Sequence, residues 1–154
     1  CWTILASEDA VNKYGLKPKA IIIDSQWSGL DPAIMGFGPV LSSNELLRRN
    51  KLKLQDIETW EINEAFASQV LACLAAWKDD KFCREVLGLD SAAGEIDRAK
   101  LNVDGGAISL GHPVGTSGNR IVLHLVNAMK RLGTRRGIAT ECIGGGLGGV
   151  GGDR

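Results

Sequence analysis

The sequence predicts an α/β fold with a mixed, mainly parallel sheet and helices on both faces. Short apolar runs rich in β-branched residues alternate with segments of helical periodicity, which is the pattern of βαβ crossovers. One run, Ala20-Ile21-Ile22-Ile23, is continuous and apolar, as in a strand covered on both faces. Helix start and stop residues punctuate the intervals between runs.

Taken in order, Trp2 to Ala6 is a short apolar run that reads as a strand. Ser7 followed by Glu8 and Asp9 starts a helix, with a cap hydroxyl and then acids near the positive end of the dipole. Gly15 ends that helix and Pro18 follows. After the Ala20–Ile23 strand, Gly29 to Gly38 reads as a loop and Val40 to Asn50 as a helix with Leu41, Leu46 and Leu47 inward. Glu58 to Ile62 is a strand ending at Asn63, and Glu64 to Trp77 is a helix with Phe66, Val70, Leu71, Leu74 and Trp77 on its apolar side. Lys78 to Lys100 is charged and reads as a surface excursion. Asn102 to Leu110 leads into His112, a helix runs from about Ser117 to Leu132, and Gly137 to Cys142 is a last strand before a polar glycine tail.

Composition narrows the function classes. At 154 residues the chain is one domain of ordinary size, large enough to bury roughly 70% of its unfolded surface. Eighteen acidic and eighteen basic residues cancel, so nothing favours nucleic acid. No apolar run reaches the length of a membrane span. The four cysteines, at positions 1, 73, 83 and 142, form no CxxC pair and read as reduced thiols of an intracellular protein. Cys73, Cys83, His112 and His124 lack the spacing of zinc ligands, so no metal is expected.

Three segments carry chemistry. Cys142 is followed by Ile143 and then Gly144-Gly145-Gly146. Glycine lets backbone amides approach a ligand, and a thiol beside such amides can move a proton while they hold an oxyanion. A buried strand cysteine is the plainer alternative. His112 lies between Gly111 and Pro113, posed at a turn; a satisfied loop histidine is its plainer alternative. Asn63 closes a strand before Glu64-Ala65-Phe66, where asparagine also serves as an ordinary helix cap. Gly144, Gly146 and Gly149 spell GxGxxG, but too little chain follows for the helix and acid of a dinucleotide site.

Asn63-Glu64-Ala65-Phe66-Ala67, the stretch from Gly105 through His112 to Gly118, and Glu141-Cys142-Ile143-Gly144 resemble, in order and spacing, the C-terminal half of thiolases, the acyl-CoA C-acyltransferases. The resemblance runs from Ala6 to Gly149. It implies one half of the thiolase αβαβα fold, with residues 1–154 a C-terminal domain truncated at both ends. It implies reversible cleavage of 3-ketoacyl-CoA or condensation of acyl-CoAs, with CoA thioesters as substrates and no cofactor. His112 would activate the nucleophile and serve an oxyanion hole. Cys142 would be the acid and base of the carbon–carbon step, and Asn63 would hold a water on the thioester oxygen. Gly144 would donate its amide to a second oxyanion hole, Phe66 would line the pantetheine channel, and Met35 would lie near the acyl pocket. The implied partners are acyl-CoA, CoA, an N-terminal half bearing the nucleophilic cysteine, and further copies in a homo-oligomer. The implied location is the cytoplasm, or mitochondria or peroxisomes in a eukaryote. None of the cysteines here stands in the nucleophile's context, and Val150 to Arg154 replaces the family's last apolar strand. A non-catalytic thiolase-like domain remains the alternative.

Overall fold

The computed structural model describes residues 1–144 in full and the backbone of residues 147–153. Its elements in chain order are α1 (Glu8–Tyr14), β1 (Ile21–Gly29), a 3-10 turn (Pro32–Phe37), α2 (Gly38–Arg49), β2 (Thr59–Ile62), α3 (Ala67–Lys78), α4 (Asp80–Glu85), α5 (Ala107–Leu110), α6 (Val114–Leu132), β3 (Gly137–Ile143) and β4 (Leu147–Asp153). The four strands form one sheet in the order β1-β4-β3-β2. The fold is α/β, as expected, and the sheet is mixed. Its parallel part is narrower than expected: β2 and β3 run parallel, while β4 is antiparallel to both β3 and β1. The reason is the glycine tail. It returns directly after β3 as β4, and a strand entered through a tight turn pairs antiparallel.

Two apolar clusters lie on opposite faces of the sheet. Trp60, Ile62 and Ile138 face α2 and α3, where they meet Val40, Leu46, Leu47, Val70, Leu74 and Trp77. Ala139, one residue on from Ile138, points the other way to Ile121, Leu125 and Met129 of α6. Alternation along a strand separates the two sets. The indoles of Trp60 and Trp77 pack with centroids 5.7 Å apart and planes tilted by 53°, a favoured aromatic arrangement. Gly137 lets α6 lie close on β3: a Cβ there would stand 2.6 Å from Met129 Sδ and 2.8 Å from Leu125 Cδ1.

Helix ends follow the sequence signals closely. Ser7 Oγ accepts from Ala10 N at 3.2 Å, and Gly15 closes α1 in the left-handed conformation at φ 58°. Helix α3 begins later than expected, at Ala67, because Phe66 is in extended conformation at its cap. Phe66 therefore leaves the apolar side of the helix and is 61% exposed. Segment 78–100 is more than a surface excursion. Cys83 and Ile96 are buried, and Phe82, Leu87 and Ala93 pack on the main core. Its charged residues face outward while Gly94 N donates to Trp77 O at 3.0 Å, holding the segment against α3.

Two strand expectations are corrected. Trp2 to Ala6 forms no strand; it has no ladder partner among the described residues, and Trp2 and Ile4 stay about nine-tenths exposed, at 91% and 90%. Strand β1 exists and extends to Gly29, but it is not covered on both faces, and Ile21, Ile22 and Ile23 are all more than half exposed. What ties β1 to α2 is polar. Arg49 donates from Nε and NH2 to the two carboxylate oxygens of Asp24 at 2.8 and 2.6 Å and from NH1 to Gln26 Oε1 at 2.7 Å. Asn50 Nδ2 adds a bond to Asp24 Oδ2 at 2.6 Å. A forked guanidinium on a carboxylate is the strong form of such a pair.

The Arg49 hydrogen bonds, with Asn50 second, hold the Asp24 carboxyl down to about 2, against an ordinary 3.8. A carboxyl lowered by folding contributes stability above its unfolded value and loses it as pH falls toward its folded value. The thermal midpoint should therefore fall less steeply between pH 4 and pH 2 in Asp24→Asn than in the wild type. Circular dichroism melts across that window check this, and equal slopes would refute the clamp.

Candidate active site

The site is built on the carboxyl ends of two parallel strands. The β2–β3 ladder runs from Thr59 beside Gly137 to Ile62 beside Thr140. It is extended by one more bond, from Asn63 N to Thr140 O at 2.9 Å. That registration puts Asn63 just past the end of β2, level with Glu141, and Cys142 one residue further along β3, near that strand's end. Clefts outside the carboxyl ends of parallel strands are the usual sites in α/β folds.

Asn63 is 2% exposed, yet neither Nδ2 nor Oδ1 has a hydrogen-bond partner among the described residues. A buried amide left unpaired costs about 1–3 kcal/mol. Such a group is retained where a ligand or ordered water completes it. Helix capping does not explain it, because α3 begins at Ala67 with Phe66 at the cap position.

Cys142 is buried at 8% exposure. Burial pushes its thiol above the ordinary value, and the neighbouring Glu141 carboxylate pushes in the same direction. The thiol is therefore neutral at pH 7 and able to give a proton. Glu141 itself is raised by burial and opposed by His112, which places His112 within electrostatic reach of the β3 end. Gly118 allows this approach, since a Cβ on it would come within 2.6 Å of Glu141 Oε1.

His112 is exposed just before α6. Its Nδ1 lies 2.7 Å from Ser117 Oγ, and Ser117 is fully buried. Ser117 Oγ also reaches Pro113 O at 3.4 Å. With the serine proton on that carbonyl, Oγ accepts from Nδ1–H and leaves the Nε2 lone pair free, a tautomer assigned from the network. Arg120 NH1 donates to Gly111 O at 2.6 Å and steadies the turn before the histidine. Ser117 was legible only as part of a glycine-rich string, and nothing in its spacing marked it as the imidazole's partner.

Met35 is half-buried in the Pro32–Phe37 turn, which packs against β3 and α3. Cys73 Sγ donates to Gly36 O at 3.2 Å and so pins this turn to α3. Burial pushes the Cys73 thiol up to about 12, opposed by a hydrogen bond from Gln69. The turn that carries Met35 thus packs on β3, the strand that carries Cys142. Gly144 is exposed in the turn that follows β3, while Gly145 and Gly146 of the glycine run lie outside the described residues. Phe66, exposed on the edge before α3, stands apart from the buried cluster.

Behind the site runs a polar chain that sequence reading missed. Glu61, buried in β2, meets His124 Nδ1 at 2.8 Å, and His124 Nε2 meets Asp104 Oδ2 at 2.8 Å. Arg131 donates to both Asp104 oxygens at 2.7 and 2.6 Å. The chain ties β2, α6 and the loop before His112 together. Only side-chain contact between distant segments reveals it.

The geometry finds close parallels in known proteins. The family model described as thiolase, C-terminal domain, matches residues 16–150. The chain belongs to the thiolase family. It is 46% identical over 145 residues to a 3-ketoacyl-CoA thiolase of Aliivibrio salmonicida, covering 94% of this chain and 34% of that protein. It is 45% identical over 145 residues to a beta-ketoadipyl-CoA thiolase of Pseudomonas aeruginosa, covering 94% and 32%. Among solved structures, human mitochondrial 3-ketoacyl-CoA thiolase superposes with a TM-score of 0.78 at 43% identity, over 95% of this chain and 33% of that one. A complex of that human enzyme with CoA also matches, with a TM-score of 0.78 at 42% identity, over 97% of this chain and 34% of the other. The chain thus spans about a third of the length of the thiolases it matches. Its fold is that of one half of a thiolase.

The raised Cys142 thiol sets a reactivity order. Thiolate is the species that alkylates, so iodoacetamide at pH 7.5 should label exposed Cys1 first and Cys142 far more slowly. Labelling at Cys142 should accelerate up to a higher pH than an ordinary thiol shows. Peptide mass spectrometry over pH 7–10 checks this; Cys142 labelling as fast as Cys1 at neutral pH would contradict it.

Proposed function

We propose that this chain supplies the histidine, cysteine and asparagine part of an acyl-CoA C-acyltransferase that cleaves 3-ketoacyl-CoA with CoA or runs the reverse condensation. The observation that carries this reading is Asn63, buried with both amide atoms unpartnered at the carboxyl end of β2, beside the strand of Cys142. A water on that amide is well placed to donate toward a thioester oxygen. The names of the thiolase relatives and the CoA complex among the structural neighbours support the substrate class.

The division of labour follows from the two environments. His112 presents Nε2 to solvent and takes the proton of an incoming thiol, with Nδ1 held by Ser117. That thiol belongs to an N-terminal half; Cys73 and Cys83 are buried, and neither lies in a nucleophile's setting. In cleavage, its sulfur attacks the ketone carbon, the carbon–carbon bond breaks, and the departing enolate takes the proton of Cys142. CoA thiol then gives its proton to the Cys142 thiolate and its sulfur takes the acyl group, and the released enzyme thiolate recovers its proton from His112. A neutral thiol suits the enolate step, and in this reading the amide of Gly144 stabilises charge nearby. Phe66 and Met35 line the approach for pantetheine and acyl chain. No resident cofactor or metal takes part in this reading. It includes assembly into a homo-oligomer and an intracellular location, mitochondrial or peroxisomal in a eukaryote.

Two outcomes follow. The chain alone should show no turnover of acetoacetyl-CoA with CoA above a Cys142→Ala control. In the full-length protein carrying this domain, His112→Ala should depress acylation by acetyl-CoA, measured in a single turnover with radiolabel. The loss should be roughly two orders of magnitude, as for removal of an acid–base group. Cys142→Ser should largely spare acylation and depress the carbon–carbon step instead, because a hydroxyl is far less acidic than a thiol. Equal loss of labelling in both variants would overturn the assignment.

A further inference from the structure

Glu64 follows Asn63 and has no part in the chemistry above, yet it is half-buried and fully engaged. Its Oε1 accepts from Asn102 Nδ2 at 3.0 Å and its Oε2 accepts from Ile108 N at 3.1 Å. Asn102 holds an uncommon positive φ of 46° and is itself fixed to β2. Its Oδ1 accepts from Ile62 N at 2.9 Å, and its Nδ2 donates to Ile62 O at 3.0 Å. Its backbone N donates to Trp60 O at 2.8 Å. Ile108 lies in the single helical turn α5, whose cap position, Gly106, supplies no side-chain bond. Gly106 is required there for a steric reason: a Cβ would collide with the Glu64 carboxylate itself. From α5 the chain passes through Gly111, at φ 90°, directly to His112.

We propose that Glu64 is a positioning residue for the acyl-transfer reaction read above, latching the loop that carries His112 to the strand end that carries Asn63. The chemistry of the latch is specific. Both partners, a side-chain amide NH2 and a backbone N–H, are donors, so both oxygens must accept, and only an ionised carboxylate does so. Glutamine presents an NH2 to one of them and loses one bond. Aspartate is one methylene shorter and cannot span both. The latch sets where Nε2 of His112 points relative to Asn63 and Cys142, and misplacement of a catalytic group by about 1 Å costs up to about a hundredfold in rate.

The test has two arms. In this chain, amide hydrogen exchange is followed by NMR in the wild type, Glu64→Gln and Glu64→Asp. The expected result is faster exchange at Ile108 in both variants, by roughly tenfold or more in Glu64→Asp, where the bond is lost, and by a smaller factor in Glu64→Gln, where a neutral oxygen replaces the charged acceptor. Exchange at Ile138 and Ala139 in β3 should stay unchanged. Unchanged exchange at Ile108, or equal acceleration at all three amides, would overturn the latch. In the full-length protein, Glu64→Gln should lower kcat for acyl transfer by roughly tenfold or more with KM within about twofold. A rise in KM at unchanged kcat would overturn the positioning role. If the wild-type protein transfers no acyl group, the functional reading has failed while the exchange arm still decides the latch.

Discussion

One backbone registration sets the geometry of the whole site: the parallel ladder of β2 on β3, ending in the bond from Asn63 N to Thr140 O. It fixes two chain segments, roughly eighty residues apart in sequence, to within one strand spacing of each other. Asn63 and Cys142, two of the residues proposed to carry the chemistry, lie at their carboxyl ends. The unpartnered amide of Asn63 and the buried thiol of Cys142 lie at neighbouring strand ends, with Asn63 level with Glu141 and Cys142 one residue further along β3. A slip of β2 by one residue would turn Asn63 to the opposite face while Cys142 kept its own. The apolar cluster opposes that slip, since Trp60 and Ile62 would leave the face they share with Ile138.

The loop bearing His112 is held to this frame by polar contacts. Asn102 bonds both backbone groups of Ile62, Glu64 bonds Asn102 and Ile108, and the chain of Glu61, His124, Asp104 and Arg131 anchors the same loop from behind. Networks of this kind, here partly buried, specify one geometry when every member is satisfied. Asn63 is the exception within this frame. Its neighbours are completed by one another, whereas its own amide stands open. That contrast separates scaffold from site more clearly than proximity does.

The sequence made the helices and the two active strands legible because their signals are local. Ser7 and Gly15 bracket α1, and the glycines around His112 and after Cys142 mark turns that a packed core would not need. What it hid was everything that depends on a neighbour distant in the chain. The isoleucines of β1 read as covered because hydrophobic runs carry no information about which face has a partner. The glycine tail, Leu147–Asp153, read as a polar end, yet its backbone forms β4, since pairing uses main-chain groups that composition does not report. Phe66 matched a helical spacing but sits one step outside the helix. The roles of Ser117 and Glu64 rest on contacts across five and forty-four residues, and neither spacing marks the partner.

The strand order has a consequence for how the sheet comes into being. Strand β4 lies between β1 and β3, so the two outer parts of the sheet are joined only by a segment that follows both in sequence. Among the described residues, the ladder partner of β1 is residues 147–153, the last of them to be made. The β2–β3 pair can form earlier, with α2, α3 and α6 closing over it. Assembly of the sheet is therefore governed by contacts of long sequence separation, which form slowly because loop entropy is lost before pairing rewards it. During that interval the three isoleucines of β1 are an open template for other chains, and timely arrival of β4 is what retires it.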